Sequence, residues 1–430
     1  MLRKGFLELA RTLIGVNTVS SQGTRQAADL LQALWEHAGL PVRRQVVEEV
    51  HVNILAGPGG EVAGPGGVLM VTHLDTVPPG PLERWQSDPW TLTERDGFLH
   101  GLGVADVKLD ALCKAEAARR LQGRRARRPF WFLGTFGEEV GLRGARHFAG
   151  SELFREVSPA QVLCGEPSEL RIVSAHKGYA VVRCLVRDRK ARPVNSEGPG
   201  IEQLQFAGKA AHSSTPHLGE NAILKALEWV KTSGSPVLAA RGGSGTNVVP
   251  ASCILEVPAP REKGSPQPGG SDARFDPAGA VGGLNVLESR EAEIAIQLDA
   301  RLLPGQDPDA LIARFTEQAQ TWVRELGQGE LDLEVSAERN AAGMSLPDAS
   351  ALVKSVGAVL ARHGLDPAPR AKPTSTEAGV FARAGCEAIV IGPGRSTGNA
   401  HTPEERIELA QLEKACDLYE SLIVELCACT

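Results

Sequence analysis

No stretch of the sequence stays apolar for the roughly 18 residues that a membrane-spanning helix needs. The opening MLRKGFL has the basic flank of a secretory signal, but Glu8 and Arg11 interrupt the apolar region such a signal requires. Phe6, Leu9, Ala10, Leu13 and Ile14 fall instead at helical spacing, which predicts an amphipathic first helix. No CxxC pair occurs among the eight cysteines, and the chain is too long to need disulfide staples. The cysteines read as small buried apolar residues in a reducing cytoplasm. Basic residues are in no excess, 46 against 52 acidic for a net charge of −6, so nothing electrostatic calls for nucleic acid or a membrane surface as partner. Hydrophobic residues at 42% and charged residues at 23% exclude a disordered or fibrous chain. A length of 430 residues predicts two domains or three.

The first third alternates helix and strand. Residues 24–38 and 108–122 have helical patterns, while Val68–Thr72, 129–136 and 161–167 are short apolar runs of the kind that form strands buried on both faces. That alternation predicts an α/β layer structure with a mainly parallel sheet. Near Lys177 the texture changes. Tyr179–Val186, Ile201–Phe206, Asn247–Val257 and Ala292–Leu298 read as half-exposed strands, with helices at about 220–232 and 307–326. This resembles a small α+β, ferredoxin-like sandwich inserted into the larger domain. From about 350 the first pattern returns, with the apolar strand 387–392 and a terminal helix from about 404 to 427. The expected organisation is a catalytic domain in two parts, 1–178 and 338–430, around an insert at 179–337. The Pro/Gly/Ser-rich stretch 257–283 reads as a mobile loop.

Open α/β sheets place their sites at the carboxyl ends of strands. The run VLMVT leads into His73-Leu74-Asp75, and alternate residues at a strand end point the same way. A carboxylate behind an imidazole is the arrangement that fixes a metal-ligating tautomer, although surface His-x-Asp pairs are common. Asp106 stands before a helix, where a plain N-cap is the simpler role. Glu138-Glu139 follows the next strand, as a solvated turn or as paired acids that need a cation. Glu166 ends a further strand, and His401 follows the last in a Gly-rich loop. Taken singly these are weak signals. Jointly, successive buried strands deliver two imidazoles and several carboxylates to one end of one sheet. That set suits a pair of zinc-like ions, one carboxylate bridging them and a spare Glu acting as base.

THLDTVP, GLGVADVK, GEEVG, GEPS and NAHTPEE together resemble the zinc-dependent aminoacylase and carboxypeptidase family, which includes acetylornithine deacetylases and succinyl-diaminopimelate desuccinylases. The motifs run in family order from about residue 70 to 405. The resemblance implies that His73 ligates one metal, with Asp75 orienting it, and that Glu166 completes that site. It implies that Asp106 bridges both ions ahead of a cis peptide to Val107, and that Glu139 and His401 hold the second. Glu138 would be the general base and acid. In the insert, GKAAHSSTPHLGENAI resembles the family's lid and dimerisation domain, where His212 would donate to the developing oxyanion; a helix-capping or packing role is the alternative. Asn247 and Arg301 match substrate-contacting positions, and Glu377 departs from the Asp of many relatives.

The implied activity is hydrolysis of an amide beside a free carboxylate by a homodimeric di-zinc enzyme in which cobalt can substitute. By resemblance, Glu166 favours a deacylase of N-acyl amino acids, first an acetylornithine-like one, of the kind found in amino-acid biosynthesis. A desuccinylase comes next, then a carboxypeptidase or dipeptidase acting on short peptides. A non-catalytic binding protein of the same fold is the reading from outside the class; it would be expected to have lost Glu138 or a ligand.

Overall fold

A computed structural model of the chain describes residues 4–57, 66–188, 202–233, 237, 239–257, 281–290, 293–327 and 331–429. They form two compact units, Met1–Ala175 with Met344–Ala371 and Thr376–Thr430, and His176–Gly343 with Lys372–Ser375.

The first unit is built on a nine-stranded sheet. Its centre is four parallel strands in the order Phe130–Thr135, Val68–His73, Gln161–Gly165 and Glu387–Val390. Antiparallel neighbours flank them, His51–Ala56 on one side and Val173–His176 on the other. Alternation along the central strands divides the core. Val68 and Met70 pack with Phe6, Leu13, Leu31, Trp35 and the terminal helix Leu409–Cys427. Leu69 and Val71 pack on the opposite face with Trp131, Phe148 and Phe381. The first helix, Lys4–Gly15, buries Phe6, Ala10, Leu13 and Ile14, but Leu9, expected on the same face, is 37% exposed. Leu9 lies at the margin of the stripe, where a neighbouring helix no longer covers it.

Beneath the carboxyl end of the His73 strand lies a buried polar network. Lys114 on the helix Lys108–Arg120 pairs with Asp110 at 2.6 Å and donates to Thr72 Oγ1 at 2.7 Å and to the Val71 carbonyl at 2.6 Å. Thr72 and Tyr419 hydroxyls both donate to Asp110. Position 165 must be glycine here, because a Cβ would overlap the Asp110 carboxylate.

The second unit is a seven-stranded antiparallel sheet. Four strands, Val281–Arg290, Glu293–Leu302, Gly178–Asp188 and Leu331–Ala341, lie side by side, with helices Ala222–Ser233 and Pro308–Gly327 falling between them in sequence as in a split βαβ sandwich. Ile296, Ala300 and Leu302 project from one face of their strand, Ile296 toward the first helix's cluster and the others toward the second's, so both helices cover the same side. Gly178–Asp188 is not the half-exposed strand its sequence suggests: Tyr179 to Val182 are buried, with Ala180 packed against the helix Pro308–Gly327 and Tyr179 covered by the Arg301 guanidinium. The predicted strand Asn247–Val257 is shorter, Ser252–Val257, and Ala239–Gly242 beside it is an additional strand. Of the expected loop 257–283, residues 258–280 lie outside the described residues, while 281–283 already belong to a strand. Among the described residues, no helix is long and apolar enough to cross a membrane.

Candidate metal centre

Each of the four central parallel strands delivers residues at its carboxyl end. The strands are level there, with His73 opposite Thr135 and Thr72 opposite Gly165. His73 closes one strand, Glu138 and Glu139 follow a second, Glu166 follows a third, and the segment to His401 follows the fourth. Asp106 enters from the loop before the helix Lys108–Arg120. The helix N-cap is Val107, so the Asp106 carboxylate is not a cap; it faces the two histidines. The Asp106–Val107 peptide is cis.

Asp106 lies between the imidazoles. Its Oδ1 is 3.2 Å from His73 Nε2 and its Oδ2 is 3.3 Å from His401 Nε2. Glu139 Oε1 is 2.9 Å from the same His401 nitrogen. Two trios, His73 with Glu138 and Glu139, and Asp106 with Glu139 and His401, bring ligand atoms within 4.8 Å of one another. Glu166 is buried but joins neither trio. The expected support of His73 by the Asp75 carboxylate takes another form. His73 Nδ1 lies 3.0 Å from the Asp75 backbone carbonyl, which fixes Nε2 as the nitrogen turned to the site, while the carboxylate stands 3.7 Å away. That carboxylate instead accepts from Ser20 Oγ at 2.7 Å and from the Glu138 and Glu139 amides at 3.0 and 3.3 Å. Asp75 therefore anchors the loop carrying both acids.

Charge tests whether these residues suit a metal. Acids crowd around the two imidazoles: burial and then the charge of Glu139 raise the pKa of Asp75, while His401 and His73, against burial, hold Asp106 well below the usual carboxylate range. Burial, then the charges of Glu166, Glu139 and Glu377, push Glu138 well above the usual carboxylate range, with His73 opposing. Burial pushes Glu377 up to about 7. Burial disfavours a charged His73, but Asp106, Glu138 and Asp75 outweigh it and raise its pKa well above the ordinary value. His401 is pushed up to about 12, first by Glu139 and then, against burial, by Asp106. Clustered acids thus hold both imidazoles protonated, a demand for positive charge that divalent cations on nitrogen and oxygen donors satisfy.

The remaining predicted residues belong to the second unit. His212 is exposed, and its Nδ1 accepts from the Ser214 amide at 3.1 Å, so a neutral ring carries its proton on Nε2. It does not cap the following helix; Asn221 does, its Oδ1 accepting from Ile223 and Leu224 at 2.9 and 3.1 Å. Asn247 is exposed, with its carbonyl accepting from the Ser213 amide at 2.9 Å. Arg301 is buried, its guanidinium 3.5 Å from the Tyr179 ring centre, and it donates to Ser213 Oγ at 3.0 Å. Asp299 is 3.7 Å from Arg301 Nε, and burial pushes its pKa up to about 6.

The profile of Peptidase family M20/M25/M40 matches residues 69–425. The chain belongs to this family. Acetylornithine deacetylase of Proteus mirabilis is 29% identical over 433 residues, covering 98% of this chain and 97% of that protein. The same-named protein of Photorhabdus laumondii subsp. laumondii is 28% identical over 434 residues, with the same coverage. Among solved structures, aminoacylhistidine dipeptidase from Vibrio alginolyticus superposes with a TM-score of 0.66 at 15% identity, covering 98% of this chain and 96% of that one. A dinuclear metal-binding M20 peptidase of Bacillus subtilis gives 0.55 at 12% identity, covering 99% and 98%. The solved neighbours establish the fold, and family membership makes the chain a metal-dependent amide hydrolase of the deacylase and peptidase kind.

The roles of several residues around this M20 site do not show in the sequence. Ser20 lies in a plain NTVSS run, and Asn399, although it opens the NAHTPEE motif, shows nothing in the sequence of how it clamps the His401 loop. Glu405 could have been noticed from its place four residues after His401, but its contacts are with backbone amides, which sequence does not display.

Proposed function

We propose that the chain is a di-metal deacylase that removes the acyl group from N-acyl amino acids, with N-acetylornithine-like substrates first. The observation that carries the proposal is the Asp106 carboxylate, one oxygen facing His73 and the other His401. In this reading His73 and Glu166 would hold one ion, Glu139 and His401 would hold the other, and Asp106 would serve both. Zinc ions there, or cobalt in their place, supply a nucleophile at neutral pH and positive charge for the carbonyl oxygen. Glu138 is half-buried and its carboxylate makes no hydrogen bond among the described residues, which suits a group that takes a proton from water and passes it to the departing amine. His212, protonated on Nε2, suits donation to the developing oxyanion, a contribution of about 3 kcal/mol for one donor. Asn247 and Arg301 are assigned to the substrate, and the full-length likeness to acetylornithine deacetylases favours an N-acyl amino acid over a peptide. All eight cysteines are free, in keeping with a reducing cytoplasm.

The test is a metal titration with a substrate panel. Chelated, metal-free protein is expected to be inactive on N-acyl amino acids and dipeptides, and zinc or cobalt to restore activity. Because the surrounding acids favour the protonated form of both histidines, loading is expected to release protons, and apparent affinity to fall as pH falls. Full turnover by protein shown by elemental analysis to hold no metal would refute the proposal, and turnover confined to dipeptides would move the assignment to a peptidase.

The active unit is proposed to be a homodimer paired through the second unit, with His212 acting in the neighbouring subunit's site. Its edge strand Glu202–Ala207, and Leu224 and Leu227 exposed on the adjoining helix, support such pairing. Mixing inactive His212→Ala and Glu138→Gln proteins is then expected to return up to about a quarter of wild-type activity, since half the dimers are mixed and each rebuilds one of two sites. Demonstrated subunit exchange without any regained activity would show that His212 does not act across subunits.

A further inference from the structure

We infer that Glu405 is a positioning residue that holds Asp106 and His401 on one backbone frame and thereby sets the second metal's site. This rests on the di-metal reading above.

The loop from Gly101 to Asp106 relies heavily on this one residue for its hydrogen bonds. The Glu405 carbonyl accepts from the Gly101 amide at 3.3 Å. Its carboxylate accepts from Gly103 at 3.2 Å on one oxygen and from Ala105 and Asp106 at 2.9 and 3.1 Å on the other. The two remaining amides go elsewhere, Leu102 to the Pro89 carbonyl at 2.8 Å and Val104 to that of Gly101 at 3.4 Å. Glu405 is 1% exposed, so water cannot easily take its place.

The same residue belongs to the segment that carries His401. Asn399 closes this segment, accepting from the Arg406 amide at 3.0 Å and donating to the Arg406 carbonyl at 2.9 Å. His401 stands within it at φ 62°, a left-handed conformation that fixes where its ring leaves the backbone. Beyond Glu405 the strand Arg406–Glu408 pairs with Phe98–His100, Arg406 opposite His100, immediately before Gly101. One short segment thus presents His401 and grips the loop that presents Asp106, and the 3.3 Å between them follows from that grip.

The two metal positions differ in their dependence on it. His73 ends a central strand and Glu166 directly follows another, so both are fixed by the sheet. Glu139 and His401 stand on loops, and Glu405 ties the His401 loop to Asp106 through side-chain bonds to its amide neighbourhood. Loss of Glu405 reaches both ions through Asp106, but only the second also depends on the placement of His401, so the loss should fall more heavily there.

Zinc is titrated into metal-free wild type, Glu405→Ala and Glu405→Gln by calorimetry with elemental analysis, alongside Tyr419→Phe as a buried, destabilised control. Glu405→Ala is expected to weaken the second ion by about 10–100-fold and the first by less than about threefold. Glu405→Gln, which keeps one acceptor oxygen, should lie between Ala and wild type, and it serves if the Ala variant does not fold. Tyr419→Phe should leave the ratio of the two affinities unchanged. Unchanged second-ion binding in both Glu405 variants, or equal weakening of both ions as in a merely unstable protein, would overturn the inference. Hydrogen exchange at the amides of residues 103, 105 and 106 in metal-free protein gives a second reading: faster exchange in the variants supports the frame, and unchanged protection removes it. If wild type bound no pair of ions the di-metal reading would fall, and the exchange result would still decide whether Glu405 holds the loop.

Discussion

Glu138→Gln is expected to lower turnover by about 10³–10⁴-fold while leaving both metal ions bound. The substitution keeps size and removes only the capacity to accept a proton. It leaves no hydrogen-bond donor stranded among the described residues, because the Glu138 carboxylate has none there, and the loop stays anchored through its amides on Asp75. Glu139→Gln should behave differently. Its Oε1 lies 2.9 Å from His401, so loss of charge there should appear first as lower metal content. The measurement is kcat beside metal stoichiometry for both variants. Metal loss in Glu138→Gln with retention in Glu139→Gln would reverse the two assignments.

Lys114→Ala is expected to cost about 3–5 kcal/mol of stability, measured by urea unfolding of metal-free protein. Lys114 and Asp110 are both buried, and removing the ammonium leaves the Asp110 carboxylate, among the described residues, with the Thr72 and Tyr419 hydroxyls. Replacing both partners together, Asp110→Leu with Lys114→Met, should cost much less, since no charge then remains uncompensated. A loss below about 1 kcal/mol for Lys114→Ala would show that water or a rearranged neighbour replaces the ammonium.

The parallel-sheet architecture was readable because strands covered on both faces become nearly continuous apolar runs, and VLMVT, FWFLGT and QVLCG each end at a chemically distinctive residue. What the pattern could not show was how the residues are supported. Asp75 stands two positions from His73, so sequence suggests a carboxylate behind the ring; the backbone carbonyl takes that place, and the carboxylate holds amides 63 and 64 residues away. Glu166 was identified from its strand end, yet strand position alone does not say how far a carboxylate reaches, and it stands outside both trios. In the second unit, YAVVRCLV resembles a surface strand because Arg183 interrupts it, but residues remote in sequence cover it, Leu311 and Phe315 in the cluster with Ala180 and Arg301 over Tyr179. The strand Ala239–Gly242 is short and ends in glycine, leaving too little alternation to detect.

The His401–Glu405 segment also has a consequence for biosynthesis. Five of the assigned residues, His73, Asp106, Glu138, Glu139 and Glu166, leave the ribosome early, whereas His401 and Glu405 follow only after the whole second unit has been made. At roughly 5–20 residues per second that interval is about 10–50 s. Throughout it the nascent chain carries a crowd of acids, one of the two imidazoles, and a loop still waiting for the residue that grips four of its amides. On the proposed assignment, the residues that would hold the second ion are therefore complete only when the last segment of the chain has been made.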